Sequence, residues 1–84
     1  MNYGVIWSRK SIDFLNKLES LTSKRIIKYI KEFSENPGAK EFRRLKGESA
    51  FRLRVGDYRV IFDFDKKNKR INIVKIGHRK NIYN

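Results

Sequence analysis

The sequence has no cysteine, a single histidine and only 9 acidic residues against 21 basic ones. Without cysteine there is no disulfide framework and no thiolate metal site, and a cytoplasmic location is the simple expectation. With His78 the one histidine, a metal centre would rest on carboxylates. Asp63 and Asp65, two apart and on one face of a strand, are two acids beside arginine, whereas a two-metal nuclease needs several carboxylates around its ions. No metal and no cofactor is expected. No apolar run approaches the roughly 20 residues of a membrane span. The opening residues, MNYGVIWSRK, lack the basic and long apolar segments of a signal peptide. No membrane partner is therefore expected. A glycine-rich phosphate loop is missing, and no serine has a plausible base to make it a nucleophile.

What is present is positive charge. The formal net charge is +12 over 84 residues, which favours a polyanionic partner. Residues 1–50 hold 11 basic and 6 acidic residues, and residues 51–84 hold 10 basic and 3 acidic. The excess thus concentrates in the second part of the chain, which reads as strands. A membrane-surface helix would carry it on a helix, so nucleic acid is the favoured partner, with an acidic protein as the other. A chain this short makes one domain, residues 1–84, and buries only about 60–65% of its unfolded surface. Its 39% hydrophobic content still suffices for a core.

The elements follow from periodicity and punctuation. Residues 3–7 (YGVIW) predict a strand. Ser8 is a candidate cap for a helix over residues 9–20, with Ile12, Leu15 and Leu18 as its stripe and Phe14 and Leu21 beside them. Thr22 or Ser23 would cap a second helix over residues 24–35, striped by Ile26, Ile27, Ile30 and Phe33. Asn36, Pro37 and Gly38 stop it. Residues 39–50 lack a clear period; Phe42 and Leu45 are candidate anchors, while Arg43, Arg44 and Lys46 stay wet. Residues 51–55, 58–64 and 70–77 predict three strands of a meander, the last two joined by the polar turn DKKNK. The predicted fold is α+β, a two-layer β-α-α-β-β-β arrangement. A helical hairpin packs on one face of a mostly antiparallel four-stranded sheet.

The stretch FRLRVGDYRVIFDF, residues 51–64, carries the functional inference. A two-residue Gly56-Asp57 loop would set Val55 opposite Tyr58, Arg54 opposite Arg59, Leu53 opposite Val60 and Arg52 opposite Ile61. Arg52, Arg54 and Arg59 then share one face. Like charges directly opposed across strands are destabilising, where good pairs contribute about 0.2–1 kcal/mol. An anionic ligand gives a reason for them, since arginine's planar fork suits phosphate; a plain solvated face is the other reading. RNA carries its own nucleophile, the 2′-hydroxyl, so arginines that stabilise charge on the phosphoryl oxygens could support cleavage without a metal. Tyr83, His78, Lys75 and Lys80 are the groups available for proton transfer.

With KIGHRKNIY and the RRLKG segment, this stretch resembles the RelE/ParE toxin superfamily over nearly the whole chain, and within it the RelE branch of type II toxin–antitoxin systems. The resemblance implies a ribosome-dependent, metal-independent endoribonuclease that cleaves mRNA in the A site. It carries catalytic roles to Arg59, Arg79 and Tyr83. Arg59 and Arg79 would hold the scissile phosphate, and Tyr83 would orient or deprotonate the 2′-hydroxyl. Arg52 and Arg54 become RNA-binding residues, with Lys75, His78 and Lys80 beside them. Arginine does not deprotonate in proteins, so Arg52 and Arg54 bind and neutralise and are not bases. The implied partners are the ribosome, mRNA and a cognate RelB-like antitoxin that wraps the basic face. The same superfamily contains ParE-like proteins that poison DNA gyrase without being enzymes. An inactive RNA-binding relative is a third possibility.

Overall fold

The computed structural model describes residues 2–47 and 49–82. Strand β1 (Gly4–Trp7) leads into helices α1 (Arg9–Lys17) and α2 (Ser20–Glu35). Strands β2 (Phe42–Arg44), β3 (Phe51–Val55), β4 (Tyr58–Asp65) and β5 (Arg70–His78) follow. The sheet order is β1-β5-β4-β3-β2, with β1 parallel to β5 and the other pairs antiparallel. The two-layer α+β architecture is as expected, but the sheet has five strands and not four. The added strand is β2, whose Phe42 lies opposite Leu53. Three residues are too few for alternation to show against a basic background.

The core joins the two layers. Leu53, Val60, Phe62, Ile71, Ile73 and Ile76 from the sheet meet Leu15, Ile26, Ile30 and Phe33 from the helices. The Phe33 ring stands edge-on to Phe62 at 5.1 Å and to Phe42 at 5.4 Å. Phe42 in turn contacts Phe51 at 5.6 Å. An aromatic cluster therefore pins the short edge strand. The approach to β2 is fixed as well, since Lys40 reaches Glu32 at 3.4 Å and sits 4.2 Å over the Tyr29 ring.

Both helix boundaries differ from expectation at their junction. α1 stops at Lys17, and α2 begins at Ser20 with Glu19 as its cap residue. Thr22 and Ser23 lie inside the helix. The Ser23 hydroxyl instead donates to the Leu15 carbonyl at 2.6 Å, satisfying an end carbonyl of α1. The buried face of α1 is formed by Ser11 and Leu15, so Ile12 points outward and is 41% exposed. Ile27 in α2 is turned out in the same way.

Ser8 is the expected cap, and it does more than cap. Its hydroxyl accepts from the Ser11 amide at 3.1 Å and donates to the Val74 carbonyl at 2.7 Å. Val74 is the extra residue of a β-bulge: Ile61 pairs with Lys75 but Phe62 pairs with Ile73. One side chain thus starts α1 and holds the bulged strand. Ser8→Ala is expected to cost about 1–2 kcal/mol, read as a thermal midpoint lower by about 5–15 °C. Ser8→Asp keeps the cap but cannot donate to Val74, and should fall between the two.

Candidate nucleic-acid interface

The β3–β4 turn builds the site. Gly56 has φ 58°, a left-handed value that glycine adopts without strain, and Gly56 and Asp57 form the whole loop. Val55 pairs with Tyr58, Arg54 with Arg59, Leu53 with Val60 and Arg52 with Ile61. Leu53 and Val60 are buried under the helices, so the pleat sends Arg52, Arg54 and Arg59 to the other face. On that face β2 adds Arg43, directly opposite Arg52. The four arginines, with Glu41 and Phe42, line a cleft of about 250 Å³. Two pairs of guanidinium-bearing residues face each other across neighbouring strands, an arrangement that sheet stability alone disfavours.

The hairpin turn organises two of the expected catalytic residues. Arg59 Nη1 donates to the carbonyls of Gly56 at 3.0 Å and Tyr58 at 2.9 Å. This holds its guanidinium plane against the turn. The Arg79 amide donates to the Asp57 carbonyl at 2.9 Å, and Arg79 Nε lies 4.0 Å from Asp57 Oδ1. That ion pair is exposed on both sides, so it is worth at most about 1 kcal/mol. Arg79 is therefore anchored by its backbone to the turn that holds Arg59, although its side chain is not part of the cleft lining.

Of the remaining candidates, Lys75 and His78 line one cavity separate from the arginine cleft. The bulge at Val74 switches the pleat of β5, so that Lys75 leaves its strand on the arginine side, opposite Ile61. Its ammonium does not line the cleft; it donates to the Ile82 carbonyl at 3.2 Å. Ile82 is buried and packs over Gly77, where a Cβ would stand 2.8 Å from Ile82 Cδ1. Only glycine at 77 leaves that slot open as it stands. His78 lies on the helix side: it pairs with Tyr58, and its ring is 5.6 Å from the Tyr58 ring. It lines a separate cavity of about 590 Å³ with Arg9, Lys10 and Phe14 of α1. Its Nδ1 accepts from the Lys80 amide at 3.2 Å. Strand alternation thus points His78 away from the face that carries Arg52, Arg54 and Arg59. Lys80 is exposed beyond the end of β5. Tyr83 lies outside the described residues.

Asp63 and Asp65 both make hydrogen bonds that hold local structure. Asp63 accepts from Asn72 Nδ2 at 2.7 Å. Asp65 accepts from the Asn68 side chain at 2.8 Å and the Asn68 amide at 3.2 Å. The Asn68 side chain, then its amide, hold the Asp65 carboxyl below its ordinary pKa.

Arg43 is the residue that sequence reasoning passes over. A signal exists: Phe42 is recognisable as a core anchor, and in an extended segment the next side chain must point to the opposite face. The Val74 bulge also leaves a trace, since the apolar alternation of Ile71 and Ile73 resumes at Ile76 and not at residue 75.

Comparison with known proteins gives a family. Residues 5–83 match the model described as the ParE toxin of type II toxin-antitoxin system, parDE. No curated protein sequence matches the chain. Among solved structures, the chain is similar to one in the RelBE2 toxin–antitoxin complex of Mycobacterium tuberculosis, at 22% identity and TM-score 0.84, covering 94% of this chain and 93% of that one. It is also similar to one in the archaeal RelE–RelB complex of Pyrococcus horikoshii, at 26% identity and TM-score 0.79, covering 96% and 99%. A YoeB/ParE toxin from Agrobacterium tumefaciens shares the fold at 17% identity and TM-score 0.71, covering 89% and 96%.

Proposed function

The chain belongs to the ParE toxin family of type II toxin–antitoxin systems, within the RelE/ParE superfamily, and on that premise we propose that this toxin is a ribosome-dependent endoribonuclease that cleaves mRNA in the A site without a metal ion. The observation that carries this reading is the arginine cleft, where Arg54 faces Arg59 and Arg43 faces Arg52 on the bare side of the sheet. In this reading the 2′-oxygen of the RNA attacks the adjacent phosphorus. The bond from phosphorus to the 5′-oxygen breaks as that oxygen takes a proton from water, leaving a 2′,3′-cyclic phosphate and a 5′-hydroxyl. Negative charge grows on the phosphoryl oxygens as this happens. Arg59, held against the turn before substrate arrives, needs little reorganisation to meet that charge. Arg79 supplies the second guanidinium from the far side of the same turn. Arg52 and Arg54 bind the strand, with Lys80 beyond them. Tyr83 orients the 2′-hydroxyl or takes its proton. Lys75 acts away from the cleft, where its bond to the Ile82 carbonyl holds Ile82 against the sheet. His78 contacts the RNA outside the cleft, from the cavity that it lines with Lys75 beside α1.

The partners proposed are the ribosome, mRNA and a RelB-like antitoxin. The RelBE and RelE–RelB complexes supply the antitoxin analogy, and the +12 charge suits an acidic protein that covers the basic face. Among the described residues no helix is long and apolar enough to cross a membrane.

The test is tightly controlled expression followed by mapping of mRNA 5′ ends. New cuts in phase with codons, together with growth arrest, are the expected outcome; unchanged 5′ ends with unaffected growth would overturn the reading. The description of the family model by its gyrase-poisoning relatives' name supports a second reading, a non-enzymatic inhibitor of DNA gyrase. A supercoiling assay with purified gyrase separates the two, since only that reading expects inhibition.

A further inference from the structure

We propose that Arg43 is a further RNA-binding residue, and that with Arg52 it forms the second half of a clamp for two consecutive phosphates. The inference rests on the ribonuclease reading, and it adds a residue and a stoichiometry to it. Arg54 and Arg59 are one directly opposed pair, between β3 and β4. Arg43 and Arg52 are another, between β2 and β3. Both pairs line the same cleft. Along β3 they are one two-residue step apart, about 7 Å for extended backbone. That is close to the separation of successive phosphates in an extended single strand of RNA. One phosphodiester over each pair would place a negative charge between the two guanidiniums and relieve their repulsion.

The edge position of β2 matters to the argument. An edge strand is where an exposed arginine can be placed without burying its charge, and β2 is held in place from below by Phe42 in the aromatic cluster. The backbone under Arg43 is thus anchored, while its side chain stays exposed to meet a ligand. Glu41 is the one carboxylate among the described residues that line the cleft, at the end where β2 begins.

The probe pair that tests this is AMP, with one phosphate, and adenosine 3′,5′-bisphosphate, with two. Each competes by fluorescence anisotropy against a labelled 2′-O-methyl oligoribonucleotide, which has no 2′-hydroxyl and cannot be cut. The wild-type chain should prefer the bisphosphate by about tenfold or more, the effect of one added charge-assisted contact. Arg43→Gln should remove most of that preference while lowering AMP affinity by no more than about twofold, since the Arg54 and Arg59 pair still takes one phosphate. It should also lower the slope of log affinity against log salt by about 0.7, one single-strand phosphate contact. Lys28→Gln, an equal change of charge on the exposed side of α2, should do neither. Equal effects from both variants, or no loss of bisphosphate preference in Arg43→Gln, would overturn the clamp. If bisphosphate discrimination depends on Arg43 but no codon-phased cuts appear in cells, the clamp stands and the ribonuclease reading falls. Cuts without that dependence leave the ribonuclease reading standing and remove the clamp.

Discussion

Arg59→Ala is expected to slow codon-phased cleavage on bound ribosomes by about 10²–10³-fold, the usual loss when one preorganised donor to a developing oxyanion is removed. The structural reason lies in the hairpin. Arg59 Nη1 already holds two carbonyls of its own turn, so the guanidinium is fixed before RNA enters. A group fixed in this way contributes most where charge increases along the reaction, and so to the transition state more than to the bound substrate. The loss should therefore appear in kcat, with KM changed much less. Arg59→Lys keeps the charge but not the planar fork, and should recover only part of the rate. The Gly56 bond is exposed and the Tyr58 bond only part-buried, so Arg59→Ala should shift stability by no more than about 1–2 kcal/mol. Single-turnover cleavage beside a thermal melt checks both halves of the expectation. Equal rates for Arg59→Ala and wild type would remove Arg59 from the chemistry.

The same turn explains what can be read from sequence. Gly56 and Asp57 sit between two alternating runs, and a two-residue loop leaves no freedom in pairing. The register of β3 on β4, and with it the shared face of Arg52, Arg54 and Arg59, is therefore legible residue by residue. Elsewhere local signals compete with tertiary ones. Ser23 is a good cap residue in isolation, yet it sits inside α2 because its hydroxyl satisfies the end of α1. Ile12 and Ile27 fit helical stripes, but the sheet lies on the side of Ser11 and Leu15 and leaves both exposed. β2 has too few residues to show a period, and only its pairing with β3 makes it a strand. The bulge at Val74 decides which face Lys75 takes, and its origin includes a contact to Ser8, 66 residues earlier. Such contacts are invisible to any short window of sequence. His78 adjoins Gly77, which pairs with Arg59, but adjacent positions in a strand face opposite ways, so His78 turns toward Tyr58 and α1.

Phe33→Ala is expected to destabilise the protein by about 3–5 kcal/mol, the range for deleting a buried aromatic ring. Phe33 is fully buried, and its ring meets those of Phe42, Phe62 and Phe64 at 5.4, 5.1 and 6.1 Å. Alanine would leave a cavity that these rigid rings cannot collapse to fill, because Phe42 is held in β2 and Phe62 and Phe64 in β4. Domains are stable by only about 5–15 kcal/mol, and one of this length belongs near the lower end. With a urea m-value of about 1–1.5 kcal/mol/M, the midpoint should fall by about 2–5 M. Leu21→Ala removes a comparable apolar side chain that is 70% exposed, and should stay within about 0.5 kcal/mol of wild type. The consequence for the cleft is direct. Phe33 supports Phe42, and Phe42 precedes Arg43 on the edge strand, so the outer wall of the arginine cleft depends on a ring in α2. Below its unfolding transition, Phe33→Ala should therefore lose bisphosphate preference as Arg43→Gln does, while the Arg54 and Arg59 pair, set by the β3–β4 turn, still binds AMP. Loss of AMP binding in the folded variant would show that the two halves of the cleft are not held independently.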